Sequence, residues 1–334
     1  MTTPWPAACL SDIAVIDRPE PAPRRPMFSI IIPWHGNINH LRRAAASVSL
    51  QTDWDFELMI VCNGAAAEFA PDDIEKLGLP PHRIVRSVPP DANMARNAGI
   101  DGASGRWLAF LDADDEFEPG KLAIMRTAIA TDEDDILLSR GRRVRGGGRT
   151  YMFPGPLLQR NENLSEYFFT RGCNCSTTAI VARCETARSV RFTPGLAKFQ
   201  DNDFLIRAQA AGASIRMLGD SLFLWHDSSE AGRISRGADY QRQMAWAKSL
   251  APDFTVRAFH AFCARRVAQY CFPRDFSTNI RRFWNGWRYG GLQAAELILM
   301  IVRCFMPKSL SRLGVDLFAG ITQHAARRGS RDAR

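Results

Sequence analysis

An apolar strand that stops dead in carboxylates constrains this chain more than any other feature. Residues 107–115 read Trp107-Leu-Ala-Phe-Leu-Asp112-Ala-Asp114-Asp115. Neighbouring like charges repel by about 4 kcal/mol at 4 Å near a protein surface, so a buried strand needs a reason to end in three of them. One reason is a divalent cation, whose hard-oxygen preference suits Mg²⁺ or Mn²⁺. Ligands of open α/β sheets bind beyond the carboxyl ends of the strands, so the segment points to a metal-dependent site for a phosphate-bearing ligand. The competing reading is a polar turn with an Asp helix cap before Pro119.

The flanking sequence supplies the sheet. Phe28–Ile32 is a β-branched run ending at Pro33, Glu57–Cys62 a second strand stopping at Asn63-Gly64, and Arg83–Ser87 a weaker third. Ile38, Leu41, Ala45 and Val48 recur at helical spacing behind Asn37, a candidate cap, and Ala92–Ala103 reads as a second helix before the strand at 107. Strands alternating with helices imply an α/β fold with a mainly parallel sheet covered on both faces. Beyond Asp115, Lys121–Ala130 is helical, and Ile136–Val144 and Arg149–Phe153 flank Gly146-Gly-Gly148 as a hairpin. Its arginines 140, 142, 143, 145 and 149 either line a cleft or protect a solvated sheet edge.

Charge divides the chain. The total is +8, yet residues 240–334 hold 16 Lys+Arg against 5 Asp+Glu, so the excess lies entirely in the last third. That region reads as helical and basic, with Trp246, Trp284 and Trp287 interspersed, and suits an anionic lipid or polyanionic partner. Nucleic acid finds no motif beyond charge. The expected organisation is a Pro-rich disordered lead-in over 1–26, a catalytic domain over 27–239 split near 115, and a helical region over 240–334. Eight cysteines without CxxC pairs read as reduced thiols of a cytoplasmic protein. Neither a secretory signal nor a run of about 18 apolar residues is evident. Leu292–Met306 comes closest, interrupted by Glu296 and Arg303. It would lie on a membrane through Leu292, Leu297, Ile298, Ile301, Val302 and Phe305, or pack onto the catalytic domain or a second subunit.

Six segments in order, spanning roughly 28–237, resemble one family. They are Ser29-Ile-Ile-Ile-Pro33-Trp34-His35; Leu41 through Gln51-Thr52; Glu57-Leu-Met-Ile-Val-Cys-Asn63-Gly64; Asn93-Met-Ala-Arg96-Asn97-Ala-Gly99; Ala103 through Asp115; and Phe199-Gln200-Asp201-Asn-Asp203-Phe. The chain resembles family 2 glycosyltransferases of the GT-A fold, which are inverting and use nucleotide-sugar donors. The resemblance implies that Asp112 and Asp114 are the DxD pair, Asp114 on the metal and Asp112 on ribose and metal, with Asp115 behind them or near the acceptor. Neutralising a diphosphate leaving group is Lewis-acid work. It implies a base pocket at Pro33 and Trp34, Arg96 on base or phosphate, and Asp201 as the general base that takes the acceptor's proton. His226 would touch metal or pyrophosphate, and Arg233, Ser235 and Arg236 would close over the diphosphate from a hinge at Gly232. The donor would be a UDP-sugar and the acceptor a glycan or lipid-linked saccharide.

Two positions depart from the pattern. Asn63 stands where the family usually has Asp, though an amide oxygen still accepts a hydrogen bond. Gln200 replaces the acidic neighbour of Asp201. These departures favour a degenerate nucleotide-sugar-binding scaffold, whereas Asp112, Asp114 and Asp201 favour an active enzyme. Asp203 competes with Asp201, or braces its helix through Arg207. A nucleotidyltransferase would need a glycine-rich basic loop after the first strand, which Pro33-Trp34-His35-Gly36 is not.

Overall fold

The computed structural model describes residues 25–69, 74–76, 78–87, 90–144, 149–226, 240–268 and 276–305. Most of the lead-in, the hairpin turn at Gly146–Gly148, and Gly232, Arg233, Ser235 and Arg236 lie outside the described residues.

The first half is the expected α/β alternation. β1 (Phe28–Trp34) is buried at six of its seven positions, as a strand covered on both faces must be. It pairs in parallel with β2 (Phe56–Asn63) and β4 (Trp107–Phe110), and β2 pairs in parallel with β3 (Arg83–Ser87). α1 (Ile38–Ser49) starts at Asn37, whose side chain accepts from the amides of Asn39 and His40. α2 (Ala92–Gly102) starts at Asp91, which does the same for Asn93 and Met94. Each cap satisfies amides that a first helical turn otherwise leaves unpaired. Gly105 admits β4 to the sheet, because a Cβ there would lie 2.6 Å from the Ser29 amide nitrogen.

Past β4 the sheet becomes mixed. The described strands form one nine-stranded sheet in the order β3-β2-β1-β4, then β8 (Ile180–Arg183), β6 (Ile136–Val144), β9 (Ile215–His226) and β5 (Glu116–Phe117), with β7 (Thr150–Phe153) paired to β6. α3 (Lys121–Thr131) follows the short β5 (Glu116–Phe117). The expected hairpin is β6 (Ile136–Val144) and β7 (Thr150–Phe153). Four-residue β8 (Ile180–Arg183) runs antiparallel to both β4 and β6. α4 (Cys184–Val190) and α5 (Gln200–Ala210) precede β9 (Ile215–His226), which runs parallel to β6.

The basic region packs onto this frame. α6 (Tyr240–Ser249), α7 (Val256–Phe262) and a turn of π-helix over Cys263–Ala268 contribute to the same apolar core as the sheet. Trp246 lies flat on Phe199, ring centres 5.0 Å apart, and its indole N–H donates to Asp203 at 2.8 Å. α8 (Phe276–Arg288) and α9 (Ala294–Phe305) enclose a smaller cluster with Ala264, Phe283, Leu292 and Met300. Glu296, the charge that interrupts the apolar run, receives both arms of Arg265 at 2.6 Å. Of the apolar side expected over Leu292–Met306, Leu292 is buried just before α9 and Leu297 and Ile301 pack inward, leaving Ile298 exposed. The side chains of Val302 and Phe305 lie outside the described residues. No described helix is long and apolar enough to cross a membrane.

Trp246 thus joins the C-terminal helices to the sheet. Trp246→Ala should cost about 3–5 kcal/mol in denaturant unfolding. Trp246→Phe keeps the stacking and forfeits the N–H, so it should cost only about 1–3 kcal/mol.

Candidate active site

β4 runs its four buried residues against β1 and leaves the sheet at Asp112, where the amide of Asp115 donates to the Asp112 carbonyl at 2.9 Å. The three carboxylates then take different surroundings. Asp112 accepts from Arg96 Nη2 at 2.6 Å. Asp115 is buried, accepting from Thr178 Oγ1 at 2.6 Å and from the His226 amide at 3.2 Å. Burial, reinforced by the charges of Asp114 and Asp112, pushes the Asp115 carboxyl well above the usual carboxylate range. Asp114 faces the cleft, its backbone carbonyl fixed by Arg43 at 2.6 Å. Beneath the loop, fully buried Lys121 donates to the Thr178 carbonyl at 2.8 Å, and desolvation brings its pKa down to about 7.

Arg96 ties this loop to the other half of the molecule. It is 4% exposed, so it is an interior residue of α2 rather than a surface arginine. Besides Asp112 it donates to Gln200 Oε1 at 2.7 Å and Asn93 Oδ1 at 3.1 Å. Asn97 is structural, its amide exchanging two hydrogen bonds with the backbone of Phe192. Phe199, in the left-handed region at φ 63°, turns the chain into α5 so that Gln200 meets Arg96 and Asp201 faces the cleft. Burial raises the Asp201 carboxyl to about 6, with Asp112 adding to the shift and Arg96 opposing it. Asp203 points the other way. It accepts from Thr193, Arg207 and Trp246 and is 2% exposed, a brace for the helix.

These residues surround a cleft of about 660 Å³. Its floor is Pro33, Trp34 and His35. Trp34 is 1% exposed, with its indole N–H donating to the Asn37 carbonyl and its ring 4.9 Å from Phe69. Asn63, at the end of β2, is buried with an Oδ1 that has no hydrogen-bond partner among the described residues. His226 lies beside the carboxylates, its Nε2 2.6 Å from Glu116 Oε1. One of its two ring nitrogens is therefore already engaged. Of the hairpin arginines, Arg143 reaches the cleft, Arg142 pairs with Glu118, and Arg140 binds the carbonyls of Pro154 and Gly155.

The sequence reading did not find Asn174–Thr177, Lys198, Trp225 or Arg266, all of which line the cleft. None of them belongs to a local motif. The described residues hold no cluster of three or more His, Cys, Asp or Glu side chains arranged for a metal. Two cleft-facing carboxylates nonetheless fit a Mg²⁺-like ion, which takes one or two protein carboxylates and completes its shell from phosphate oxygens and water.

Residues 29–192 match the family model described as glycosyl transferase family 2. The chain is 26% identical over 257 residues to the amylovoran biosynthesis glycosyltransferase AmsB of Erwinia amylovora, covering 72% of this chain and 83% of that protein. It is 34% identical over 160 residues to a PGL/p-HBAD biosynthesis glycosyltransferase of Mycobacterium tuberculosis, covering 44% of this chain and 60% of that one. Among solved structures, S. aureus TarS 1–349 in complex with UDP-GlcNAc matches with a TM-score of 0.59 at 17% identity. That match covers 78% of this chain and 80% of TarS 1–349, and it is a likeness of fold.

The electrostatics of the cleft can be read directly. In carboxyl-resolved NMR titration, Asp201 should titrate near pH 6, and Arg96→Ala should move its midpoint higher. The substitution removes the charge that opposes the shift and frees Asp112 to add to it.

Proposed function

The chain is a family 2 glycosyltransferase, an enzyme acting on nucleotide sugars, and on that premise we propose that it transfers a sugar from a UDP-sugar, with inversion, to a hydroxyl of a glycan or lipid-linked saccharide. The observation that carries this reading is Arg96, bonded at once to Asp112 of the strand-end loop and to Gln200 beside Asp201. It supports a single reaction centre in which leaving-group and nucleophile chemistry share one cleft.

The donor is assigned to the floor at Pro33 and Trp34, with Trp34 as a wall and the unpartnered Asn63 Oδ1 as acceptor for a uracil N–H. TarS, solved in complex with UDP-GlcNAc, supports a uridine donor. Asp112 and Asp114 would hold a divalent cation, and that cation, when bound, stabilises the negative charge building on the departing diphosphate. His226, its Nε2 held by Glu116, stands beside that pair rather than in it, and Arg233 and Arg236 would contact the diphosphate. Arg96 keeps Asp112 oriented and moderates its charge. Asp201 accepts the proton of the attacking hydroxyl. A carboxylate raised to about 6 stays mostly ionised at neutral pH yet is a stronger base than an exposed one.

Gln200 suits this arrangement. Arg96 already has Asp112 as its anion, so a neutral amide oxygen completes its hydrogen bonds without adding charge beside the base. A relative named for amylovoran biosynthesis supports a saccharide acceptor. The catalytic unit is taken as 27–239, and the basic helices from 240 as a region that braces it and holds it at the cytoplasmic face of a membrane.

Calorimetric titration of UDP should show binding of ~10 μM or tighter with Mn²⁺, lost with EDTA and in Asp114→Asn. Absence of binding under all conditions would remove the uridine assignment. Asp201→Asn should lower turnover by about 10²–10⁴-fold while sparing UDP binding. Asp203→Asn should instead lower the melting temperature. Because protonated Asp201 cannot take a proton, kcat/KM should fall as pH drops through about 6.

A further inference from the structure

α8 packs inward through Asn279, Phe283 and Gly286, at i, i+4 and i+7. Its opposite face carries Arg281, Trp284, Trp287 and Arg288, all exposed. Trp284 and Trp287 are 51% and 39% exposed, with ring centres 4.9 Å apart. Single exposed apolar side chains are ordinary. In this chain, four of the eleven exposed large hydrophobics among the described residues fall between 276 and 289, and three of those are aromatic residues of α8 itself.

We propose that this face of α8 is a docking surface for an anionic lipid bilayer. Tryptophan settles at the boundary between headgroups and acyl chains, with one edge apolar and the other wet. Arg281 lies one turn before Trp284 and Arg288 one turn after it, positioned to reach lipid phosphates while the rings enter the interface. Residues 276–293 contain three arginines and no acid, and residues 240–334 as a whole carry 16 Lys+Arg against 5 Asp+Glu. That balance complements an anionic surface and opposes pairing with a second copy, where arginine would meet arginine across a two-fold axis.

The surface also bears on the cleft. The inner side of α8 lies against the π-helical turn, where a Cβ on Gly286 would come within 2.9 Å of Ala264. The same turn carries Arg266, which lines the cleft. A bilayer on the outer face of α8 would lie one helix away from that wall, which deepens the proposed lipid-linked acceptor and rests on that reading for its purpose. The binding itself is testable without catalysis.

The full chain is sedimented with vesicles of phosphatidylcholine alone, or of three parts phosphatidylcholine to one of phosphatidylglycerol. Binding is expected only to the anionic vesicles, weakening with salt. Arg281→Gln/Arg288→Gln should weaken it about thirtyfold, from about 1 kcal/mol per basic residue at such a surface. Trp284→Ala/Trp287→Ala should weaken it at least tenfold and abolish the vesicle-induced blue shift of tryptophan fluorescence. Trp54→Ala, at a 60% exposed tryptophan near β2, should change nothing. Circular dichroism and UDP binding report that the variants are folded. Equal binding to neutral vesicles, no binding by the parent chain, or full binding by both double variants would overturn the proposal. So would a dimer in sedimentation velocity that the Trp variant dissociates. Vesicle binding by a chain that fails to bind UDP would keep this surface and discard the donor assignment.

Discussion

Three carboxylates in four residues at the end of a buried strand cannot all be charged and alike, and the fold is arranged around their separation. Arg96, from α2, takes Asp112. Thr178, just before β8, takes Asp115 into the interior, where desolvation disfavours its ionised form. Asp114 is left facing the cleft. Each partner comes from a different element, so the crossing of α2 over the sheet and the insertion of β8 beside β4 both serve one local electrostatic problem. Buried Lys121 contributes underneath, holding the Thr178 carbonyl and so the hydroxyl that Asp115 needs.

The parallel half of the fold was legible because its signals are local. β-branched runs, Asn37 as a cap, and the abrupt end of β4 each fit within a dozen residues, and the observed β1 to β4 follow them closely. β8 was missed because four residues are too few for periodicity, and its place between β4 and β6 depends on pairing across the chain. The site divides the same way. Asp112, Asp114 and Asp201 stand out within their own segments, and the structure brings all three to one cleft. Arg96 was singled out, but not its bridge to Gln200, which spans 104 residues of sequence. Arg266 was invisible because only the packing of the π-helical turn carries it to the cleft wall.

Asp201 and Asp203 show how two carboxylates in one helical turn acquire opposite roles. Asp203 has three donors and almost no exposure, so its oxygens are committed to protein. Asp201 receives only backbone amides, its own and that of Asn202 at 3.0 Å, too little to offset desolvation, and its affinity for a proton rises. The left-handed residue at Phe199 sets which of the two faces the cleft, and the stacking of Trp246 on Phe199 holds that turn in place.

The C-terminal helices show that the most apolar run need not be the most exposed one. The apolar run of α9 is the stronger signal in the sequence, and for that reason the core claims it, through Leu292 and Met300 with Glu296 neutralised by Arg265. α8 is more polar on average, yet its aromatic residues fall at two phases of the helix. Phe283 is directed inward, and Trp284, one residue on, is turned outward by 100° of helical rotation. A helix that satisfies the core with Phe283, Asn279 and Gly286 has no structural need for tryptophan on its other side. Water charges a free-energy cost for each exposed ring, and an apolar-edged, anionic surface is the environment in which that cost reverses sign.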